Sequence, residues 1–548
     1  QKDTKKMKNQ HLVILNVILF FFVLIIPHYK EFTDYYSVHD DVRYLFFVNN
    51  FPDNLEDNIL ARYSYAKGGS TTFYLSNFYI FINKFIDFIY FTKIVSVFTF
   101  LLSIVFIYKL GIILKNKRYA LILTFLFLLP LSLYYRFSGG LSRAFAFPLL
   151  LTFLYYLIKK DTHKLSFILI FEAMLYPPIF LISLLMYSIS LIDLKEKRIN
   201  LALSRNYLFF ISAILSLLLI LIPVTFIDYG INDKLTFKEA ILSPDFYEGG
   251  VLGYPIFTGT IPFTSDIKST ILTLIQIYNF GINRPIIFNG LFILFLLSFV
   301  FMIIYRKRIF RLPKEIYFLV VSSLILQSLA FLLLFRLYMP SRYVFFSIPL
   351  FLIIILAHGI YFLSIQKKFK FAFIALILML LAFYTAKIIF VPENIVHCSD
   401  KDIYDYLKTL PEDSLIAGYP PDMNCIALFG QRKPFVMSLL NAPFYKDYYK
   451  AIKQHEFDFF SAYYGNKQEV QKFCEKSGVT HIIVNKDHFD KKFLDQTHFY
   501  PEPFEPFDTH IHIQNLTKGK KEFYLQISEK ISENVLYECN DKFIVDCS

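Results

Sequence analysis

Long apolar runs alternate with short polar segments over residues 1–391, and the remaining residues, 392–548, follow a mixed pattern. Most of the runs approach the length of about 20 helical residues that crosses a hydrocarbon core of about 30 Å. We count about eleven of them, so the sequence predicts a polytopic α-helical membrane domain. The predicted spans are His11–Pro27, Phe88–Leu114, Tyr119–Tyr135, Ala144–Ile158, two short helices within Leu165–Ile192, Tyr207–Phe226, Pro285–Tyr305, Ile316–Phe335, Tyr343–Ile365 and Phe371–Val391.

The run Leu165–Ile192 contains a predicted helix break. Tyr176 is followed by Pro177 and Pro178, and a pair of prolines removes helix hydrogen bonds and clashes with the preceding turn. Lysines lie beyond both ends of the run, which predicts that both ends are on the same side of the membrane. We therefore expect a hairpin of two short helices that pack inside the bundle.

The charges between the spans predict the orientation of the chain. Lys and Arg outnumber Asp and Glu in alternate short segments, as in cytoplasmic loops. Two long loops, 28–87 and 227–284, hold more acidic than basic residues and are predicted outside. No small-residue cleavage site follows the first run, so we expect an uncleaved helix with a cytoplasmic N-terminus. An odd number of spans then places the C-terminus outside.

The overall composition agrees with a membrane protein. Hydrophobic residues make up 55% of the 548 residues, bunched in runs, which excludes a soluble enzyme, a fibrous protein and a disordered chain. The net charge of +12 would by itself suit a nucleic-acid partner. The basic residues lie in short clusters between apolar runs, however, so we predict membrane lipids and no nucleic acid as partners.

Residues 392–548 are predicted to form a separate soluble, extracytoplasmic α/β domain. The stretch DIYDYLKTLP reads as a helix, SLIAGYPPD as a strand and a turn, NKQEVQKFCEKSGV as a helix that ends at glycine, and THIIVNKD as a strand. The stretch NVLYECNDKFIVDC reads as a terminal hairpin. Alternation of helices and strands is typical of small α/β domains.

All five cysteines lie in this C-terminal domain: Cys398, Cys425, Cys474, Cys539 and Cys547. An oxidising compartment would permit up to two disulfides, and buried thiols are the alternative. The odd number leaves at least one cysteine unpaired, and the spacing does not determine the connectivity.

The first long loop carries an acidic pair, in the stretch YYSVHDDVRY. His39 precedes Asp40 and Asp41, and adjacent carboxylates in an extended segment point apart, which favours two different roles. One carboxylate would accept a proton from an attacking hydroxyl, and the other would orient a cation or a metal. A solvated acidic loop is the alternative.

Two short outer turns carry arginines at the ends of predicted spans. Arg136 and Arg143 enclose the stretch FSGGLS, whose glycines let the backbone approach a ligand closely. Arg336 and Arg342 enclose LYMPS, and Tyr343 follows. Guanidinium groups there would grip a phosphate in a bidentate fork, and contact with lipid headgroups is the alternative.

Glu172 lies within an apolar run, four residues before the predicted break. An ionisable group inside a membrane segment is a functional candidate. The alternative is a structural pairing with Arg136 or Arg143. The sequence has no phosphate-binding GxxxxGK[ST], no HExxH and no CxxC motif.

This layout resembles the GT-C superfamily of integral membrane glycosyltransferases. The shared features are a cytoplasmic N-terminus, an acidic first outer loop with His39-Asp40-Asp41, many further spans and an outer C-terminal domain. The chain looks like a bacterial member of the polyprenyl-phosphate-sugar-dependent group, which includes protein mannosyltransferases and aminoarabinose transferases. The resemblance covers roughly residues 10–390 and implies a location in the bacterial inner membrane.

The resemblance implies sugar transfer from a polyprenyl-phosphate carrier to a protein, lipid or glycan acceptor on the outer face. An acidic residue of the first outer loop would act as general base, which corresponds to Asp41 or Asp40. The substrate-binding residues would be His39, Arg136, Arg143, Glu172, Arg336, Arg342 and Tyr343. No second acidic motif of the kind that several families carry is found, which leaves the acceptor and the requirement for a divalent metal open.

Three other functions compete with this hypothesis. An envelope polysaccharide polymerase or ligase also uses lipid-linked sugars, but its large outer loop usually comes late among the spans. A transporter or flippase would need charged groups deep in several spans and repeat symmetry, whereas only Glu172 stands out and the spans show no paired halves. A scaffold would use the membrane part only to present the C-terminal domain to a partner.

Overall fold

A computed structural model of the chain shows a mostly helical protein with one α/β domain. The structure describes residues 13–14, 16–21, 29–50, 58–128, 137, 139–193, 198–199, 203–226, 230–231, 233–236, 238–239, 312–333, 336–337, 340–365, 395–441, 443–495, 508–526 and 535–547. The predicted spans Pro285–Tyr305 and Phe371–Val391 lie outside these residues.

The chain divides into two compact units. The first, the helical unit, comprises Gln1–Asp40, Ile89–Pro223 and Asp266–Val396, and the second, the mixed unit, comprises Asp41–Phe88, Val224–Ser265 and His397–Ser548. Most of the two predicted outer loops thus groups with the C-terminal residues. The predicted boundary at residue 391 rests on the change of composition there.

Antiparallel helices joined by short turns dominate the helical unit. Its elements are α1 (Tyr29–Thr33), β1 (Ser37–His39), α4 (Phe88–Leu114), α5 (Lys117–Leu128), a 3₁₀ turn (Ser142–Phe145), α6 (Ala146–Lys159), α7 (Thr162–Leu175), α8 (Pro177–Ser190), the short pair β2 (Ile192–Asp193) and β3 (Arg198–Ile199), α9 (Leu203–Phe226), α10 (Lys314–Leu332), a 3₁₀ turn (Pro340–Tyr343), α11 (Ser347–Ile365) and β4 (Ile395–His397), which pairs with β1. A 3₁₀ turn (Asp40–Leu45) follows β1, and from Asp41 onward it belongs to the mixed unit.

Two described helices are long and apolar enough to cross a membrane, Phe88–Leu114 and Tyr207–Phe226. The first has the bounds that the apolar run predicts. Helices also occupy much of the other described runs, but the count of about eleven spans is not established by these residues. The predicted run Tyr119–Tyr135 is helical only to Leu128 in the part of the chain that the structure describes.

The predicted hairpin at Tyr176 is present. Helix α7 ends at Leu175, Tyr176 has φ −154° and ψ 82°, and α8 begins at Pro177. Proline is favoured in the first turn of a helix because the missing N–H has no intrahelical partner there. The two helices pack against each other, and α8 also packs against α6 and α10.

Basic residues gather at one end of the helical unit. The Asn116 side-chain amide donates to the Tyr361 hydroxyl at 2.6 Å, and the Arg118 guanidinium donates to the Ser364 carbonyl at 2.9 Å. The turn between α4 and α5 therefore lies beside the end of α11. Both segments belong to the predicted cytoplasmic side, so their proximity is consistent with the charge pattern.

The mixed unit joins a small sheet to helices from three parts of the chain. Its elements are α2 (Phe46–Asn50), α3 (Ile59–Asn83), α12 (Lys401–Leu407), β5 (Leu415–Gly418), α13 (Pro420–Phe429), β6 (Lys433–Pro434), a 3₁₀ turn (Ser438–Leu440), α14 (Lys446–Tyr463), α15 (Lys467–Ser477), β7 (His481–Asn485), a 3₁₀ turn (Lys486–Phe489), α16 (Lys491–Leu494), α17 (Asp508–Thr517), β8 (Val535–Cys539) and β9 (Lys542–Asp546).

The sheet has the order β6-β5-β7-β9-β8. Strands β6, β5 and β7 are parallel, and β9 is antiparallel to both β7 and β8. The predicted terminal hairpin and both predicted strands are thus present in an α/β fold. Helix α15 begins with a capping box of Asn466 and Glu469 and ends at Gly478, whose φ is 69°, as the sequence predicts.

Two disulfides lie in the mixed unit, Cys398–Cys425 and Cys474–Cys547, and Cys539 is the remaining free thiol. The first joins the segment before α12 to α13, and the second joins α15 to the residue after β9. The sequence permitted two disulfides without determining the pairs. The structure thereby favours the disulfide alternative over buried thiols for four cysteines.

Candidate functional site

Two arginine-bearing turns and the break at Tyr176 lie at the same end of the helical unit. The first arginine turn is residues 139–145, and the second is residues 336–343. The Phe147 ring, just beyond the first, makes an edge contact with the Phe346 ring, just beyond the second, at 5.0 Å between centroids. Phe346 in turn makes an edge contact with Tyr176 at 5.5 Å. Three interruptions of the helices therefore meet around one cluster of aromatic rings.

Backbone geometry shapes the first arginine turn. Gly139 has φ 83° and Gly140 has φ 63°, in the region that side chains with a Cβ rarely adopt. The chain then forms the 3₁₀ turn Ser142–Phe145, and Arg143 lies half-buried in its middle. This turn packs against α6 and α7. The glycines thus make the sharp return after which the turn of Arg143 packs against α6 and α7.

The second arginine turn is closed by a tyrosine. The Tyr343 hydroxyl donates to the Leu337 carbonyl at 2.8 Å, and the ring is 2% exposed. Arg336 is exposed and Arg342 is half-buried. The 3₁₀ turn Pro340–Tyr343 packs against α8 and α10. A hydrogen bond across the turn gives Tyr343 a structural role in addition to any contact with substrate.

Glu172 lies deeper in the helical unit. Its side chain is 0% exposed, and the Ser183 hydroxyl donates to its Oε1 at 2.9 Å. Ser183 is on α8 and Glu172 on α7, so the bond crosses the hairpin below Tyr176. Among the described residues the hydrogen-bond partner of this carboxylate is a serine and not one of the two arginines considered from the sequence. Arg136 lies outside the described residues.

For the acidic pair, Asp40 and Asp41, the structure describes the backbone. His39 ends β1 and is 1% exposed, and Asp40 and Asp41 begin the following 3₁₀ turn. The side chains of the two aspartates lie outside what the structure describes, so it does not test their role. The segment before them is held by Lys93, whose ammonium group donates to the Asp34 carbonyl at 2.8 Å.

Lys93 is a residue that the sequence analysis missed. It is 6% exposed and lies in the second turn of α4, within the predicted span Phe88–Leu114. The signal in the sequence is a lysine near the start of a long apolar run, since an ionisable group within a membrane segment is a functional candidate. Its bond to a backbone carbonyl close to the acidic pair makes it a structural support for that loop.

A second polar cluster lies at the carboxyl end of the sheet in the mixed unit. The Lys542 ammonium group lies 2.7 Å from Asp400 Oδ2 and 3.2 Å from Asp422 Oδ2. Burial opposes the charge on Lys542, but the two carboxylates outweigh it and raise the pKa of the amine. Burial raises the pKa of the Asp422 carboxyl, and Lys542 offsets part of that effect.

His488 lies near this cluster, in the turn after β7. Its ring packs on Tyr419 at 4.2 Å and on Phe493 at 4.5 Å, and its Nδ1 lies 3.1 Å from the Tyr463 hydroxyl. Burial lowers the pKa of the imidazole to about 3. A neutral, aromatic-packed histidine with a tyrosine partner fits a core position in this domain.

No group of three or more His, Cys, Asp or Glu side chains able to hold a metal ion occurs in the part of the chain that the structure describes. The side chains of Asp40 and Asp41 lie outside that part.

The sequence matches no protein-family model and no curated protein. Among solved structures, the chain is similar to the archaeal oligosaccharyltransferase AglB from Archaeoglobus fulgidus in complex with an inhibitory peptide and a dolichol-phosphate. The identity is 11% and the TM-score 0.46, over 91% of this chain and 72% of that chain.

Two further similar structures are of the Archaeoglobus fulgidus oligosaccharyltransferase. One is its complex with Zn and sulfate, at 11% identity and a TM-score of 0.44 over 89% of this chain and 70% of that one. The other is tethered with an acceptor peptide, at 13% identity and a TM-score of 0.42 over 90% and 71%.

Proposed function

We propose that this protein is a membrane glycosyltransferase that transfers a sugar from a polyprenyl-phosphate carrier to an acceptor on the outer face of the membrane. The observation that supports it most is the meeting of the two arginine turns at the helix break. Arg143 and Arg342 lie in turns whose neighbouring rings, Phe147 and Phe346, are in contact. A phosphate bound between these turns would be held at one end of the helical unit.

The chemistry of the leaving group fits such a pair. A polyprenyl phosphate departs as an anion, and negative charge grows on it in the transition state. Guanidinium groups fixed by packed turns stabilise developing charge without having to reorganise. In this proposal Arg143 and Arg342 bind the carrier phosphate, and Arg136 and Arg336 are further candidates for the same role.

The acceptor hydroxyl requires a base during attack, because its own pKa is far above neutral. Asp41 is the proposed base, with Asp40 as the second candidate and the group that orients a cation. His39, the buried residue directly before them, is a further substrate-binding candidate in this proposal. If the reaction requires a divalent metal, these two aspartates are the proposed ligands, and chelation of the metal tests the requirement.

The compartment is supported by the cysteines and the basic turns. Two disulfides in the mixed unit are typical of an oxidising compartment. The basic turn of Asn116–Arg118 lies at the end of α11 opposite to the second arginine turn, which precedes α11. We therefore propose cytoplasmic basic turns, outer arginine turns and an extracytoplasmic C-terminal domain in the bacterial inner membrane.

The proposal is tested by sugar transfer from a labelled polyprenyl-phosphate sugar with the full chain in lipid nanodiscs. We expect Asp41→Asn to lower turnover by 10²- to 10⁴-fold at unchanged donor affinity, because removal of a general base affects the chemical step. Asp87→Asn, in the same predicted loop, is the matched control. Full turnover in both Asp40→Asn and Asp41→Asn would remove the catalytic claim, and loss of turnover with EDTA would show a metal requirement.

A further inference from the structure

The segment Phe444–Tyr448 at the start of α14 contacts two stretches that the sequence assigned to separate outer loops. One is the first half of α3, in the first loop, and the other is residues 233–239, in the second. All three belong to the mixed unit. The rings of the segment are buried, with Phe444 at 5% exposure, Tyr445 at 3% and Tyr448 at 2%. These buried aromatic rings are packed as the side chains of a domain core are.

The second loop is held mainly through the backbone. Lys234 and Tyr445 form an antiparallel bridge. The Leu235 N–H donates to the Phe444 carbonyl at 3.0 Å, and the Lys446 N–H donates to the Asp233 carbonyl at 2.9 Å. The Lys446 ammonium group adds ion pairs to Glu239 at 2.6 Å and to Asp233 at 3.5 Å. The loop thus pairs with the segment as a short edge strand does.

The first loop is held through aromatic rings and one hydroxyl. The Tyr448 ring stacks on Tyr63, with 3.9 Å between centroids and 8° between planes. The Tyr445 hydroxyl donates to the Ala66 carbonyl at 2.6 Å. Helix α3 leaves helical geometry at Gly69, where φ is 53°. Carbonyls in the turn before a helix break lose their usual donors, and Tyr445 supplies one to Ala66.

A cation then connects this contact to the turn of the acidic pair. The Lys67 ammonium group lies 5.3 Å from the Tyr44 ring centroid, 5.7 Å from that of Tyr63 and 5.5 Å from that of Phe444. Distances below about 6 Å are attractive for an ammonium group above an aromatic ring. Tyr44 belongs to the 3₁₀ turn Asp40–Leu45, so Lys67 links that turn to Phe444.

We infer that Phe444–Tyr448 is a docking surface through which the C-terminal domain fixes both outer loops and positions the turn that carries Asp41. Tyr445, Lys446 and Tyr448 are positioning residues that act through α3, Lys67 and Tyr44. The role for Asp41 rests on the function proposed above, whereas the docking itself does not. The C-terminal domain is then a working part of the transferase and not an appended cover.

Amide hydrogen exchange of the full chain in nanodiscs tests the docking. We expect Tyr448→Leu to raise exchange at least tenfold in residues 59–68, since it removes the stacked ring, and Lys446→Met to raise it in residues 233–236. The matched control is Tyr406→Leu, which removes a tyrosine stack of similar geometry, with Tyr537 at 4.5 Å, elsewhere in the same unit. Unchanged exchange at 59–68 in Tyr448→Leu, or an equal rise in the control, would overturn the docking.

Transfer kinetics test the positioning. Tyr445→Phe keeps the ring and removes only the bond to Ala66, so it should fold as the wild type does. We expect its kcat to fall three- to tenfold at unchanged KM for the lipid donor, because the donor phosphate is bound by the arginine turns. Raised exchange at 59–68 with unchanged kcat would overturn the positioning role. If the wild type transfers no sugar, the proposed function fails, and the exchange result still decides the docking.

Discussion

The two units of the molecule surround their buried ionisable groups differently. In the mixed unit, Lys542 is matched by two carboxylates at 2.7 and 3.2 Å. In the helical unit, Glu172 is fully buried and accepts one hydrogen bond from the residues that the structure describes, that of the Ser183 hydroxyl. A buried charge is costly unless it is paired and hydrogen-bonded. The charge of Lys542 is thus balanced by its neighbours in the mixed unit, whereas the described neighbours of Glu172 offer it a single neutral hydroxyl.

The largest difference between the two units is expected on removal of a disulfide. Replacing Cys474 and Cys547 by alanine opens a loop with a sequence separation of 73. Loop-closure entropy predicts a loss of about 4 kcal/mol in the free energy of unfolding of the mixed unit. Hydrogen exchange should rise at β7 and β9 and stay unchanged in α6–α8, which contain no cysteine. Equal changes in both units would show that they unfold together.

A smaller loss of stability is expected on removal of the Lys542 charge in the mixed unit. Lys542→Met leaves Asp400 and Asp422 close together without compensation, and we expect a loss of about 3 kcal/mol. The pKa of Asp422, already raised by burial, should rise further. A carboxyl whose pKa is higher in the folded state than its ordinary value of 3.8 destabilises the fold as the pH rises above 3.8. Acid should therefore partly restore the stability of the variant. Stability that falls towards low pH in this variant, relative to wild type, would contradict the assignment.

His488 predicts a smaller, pH-dependent effect. Its pKa is lowered to about 3 by burial, so the unfolded chain binds the proton more readily below pH 6.5. Its stabilising contribution is complete above pH 6.5 and falls by about 2 kcal/mol at pH 5. His488→Asn should flatten the pH dependence of the unfolding free energy between pH 5 and 7. A pH dependence as steep in His488→Asn as in wild type would contradict this role.

The smallest effect is expected in the helical unit. Ser183→Ala removes the donor to Glu172 and should lower the unfolding free energy by about 1.5 kcal/mol, as for a hydrogen bond to a buried acceptor. Ser188→Ala on the same helix is the control, because that hydroxyl is exposed and bonds its own helix carbonyl at Leu184. Equal shifts of the melting temperature for both variants would mean that the Glu172 bond is not stabilising.

Local signals in the sequence predicted the regular elements well. The apolar run Phe88–Leu114 gave the helix bounds, the two prolines after Tyr176 gave the hairpin, and Asn466 with Gly478 gave both ends of α15. These features depend on residues that are close in the chain, so a pattern reveals them.

Other elements and contacts could not be predicted in this way. Helices α3 and α14 are not evident from the apolar pattern. The buried face of α3 mixes tyrosines with serine, threonine and small apolar residues, and the buried rings of α14 are interleaved with charged residues. The contacts of Lys542 with Asp400 and of Tyr448 with Tyr63 join residues far apart in the chain. Such partners are set by the fold as a whole.

Binding of labelled polyprenyl phosphate to the full chain in nanodiscs tests the central claim most directly. The claim is that Arg143 and Arg342 together hold the phosphate of the lipid carrier. We predict at least tenfold weaker binding by the double variant Arg143→Gln/Arg342→Gln. Binding by Arg118→Gln, at the opposite end of the helical unit, should equal that of wild type. Undiminished binding by the double variant would contradict the account.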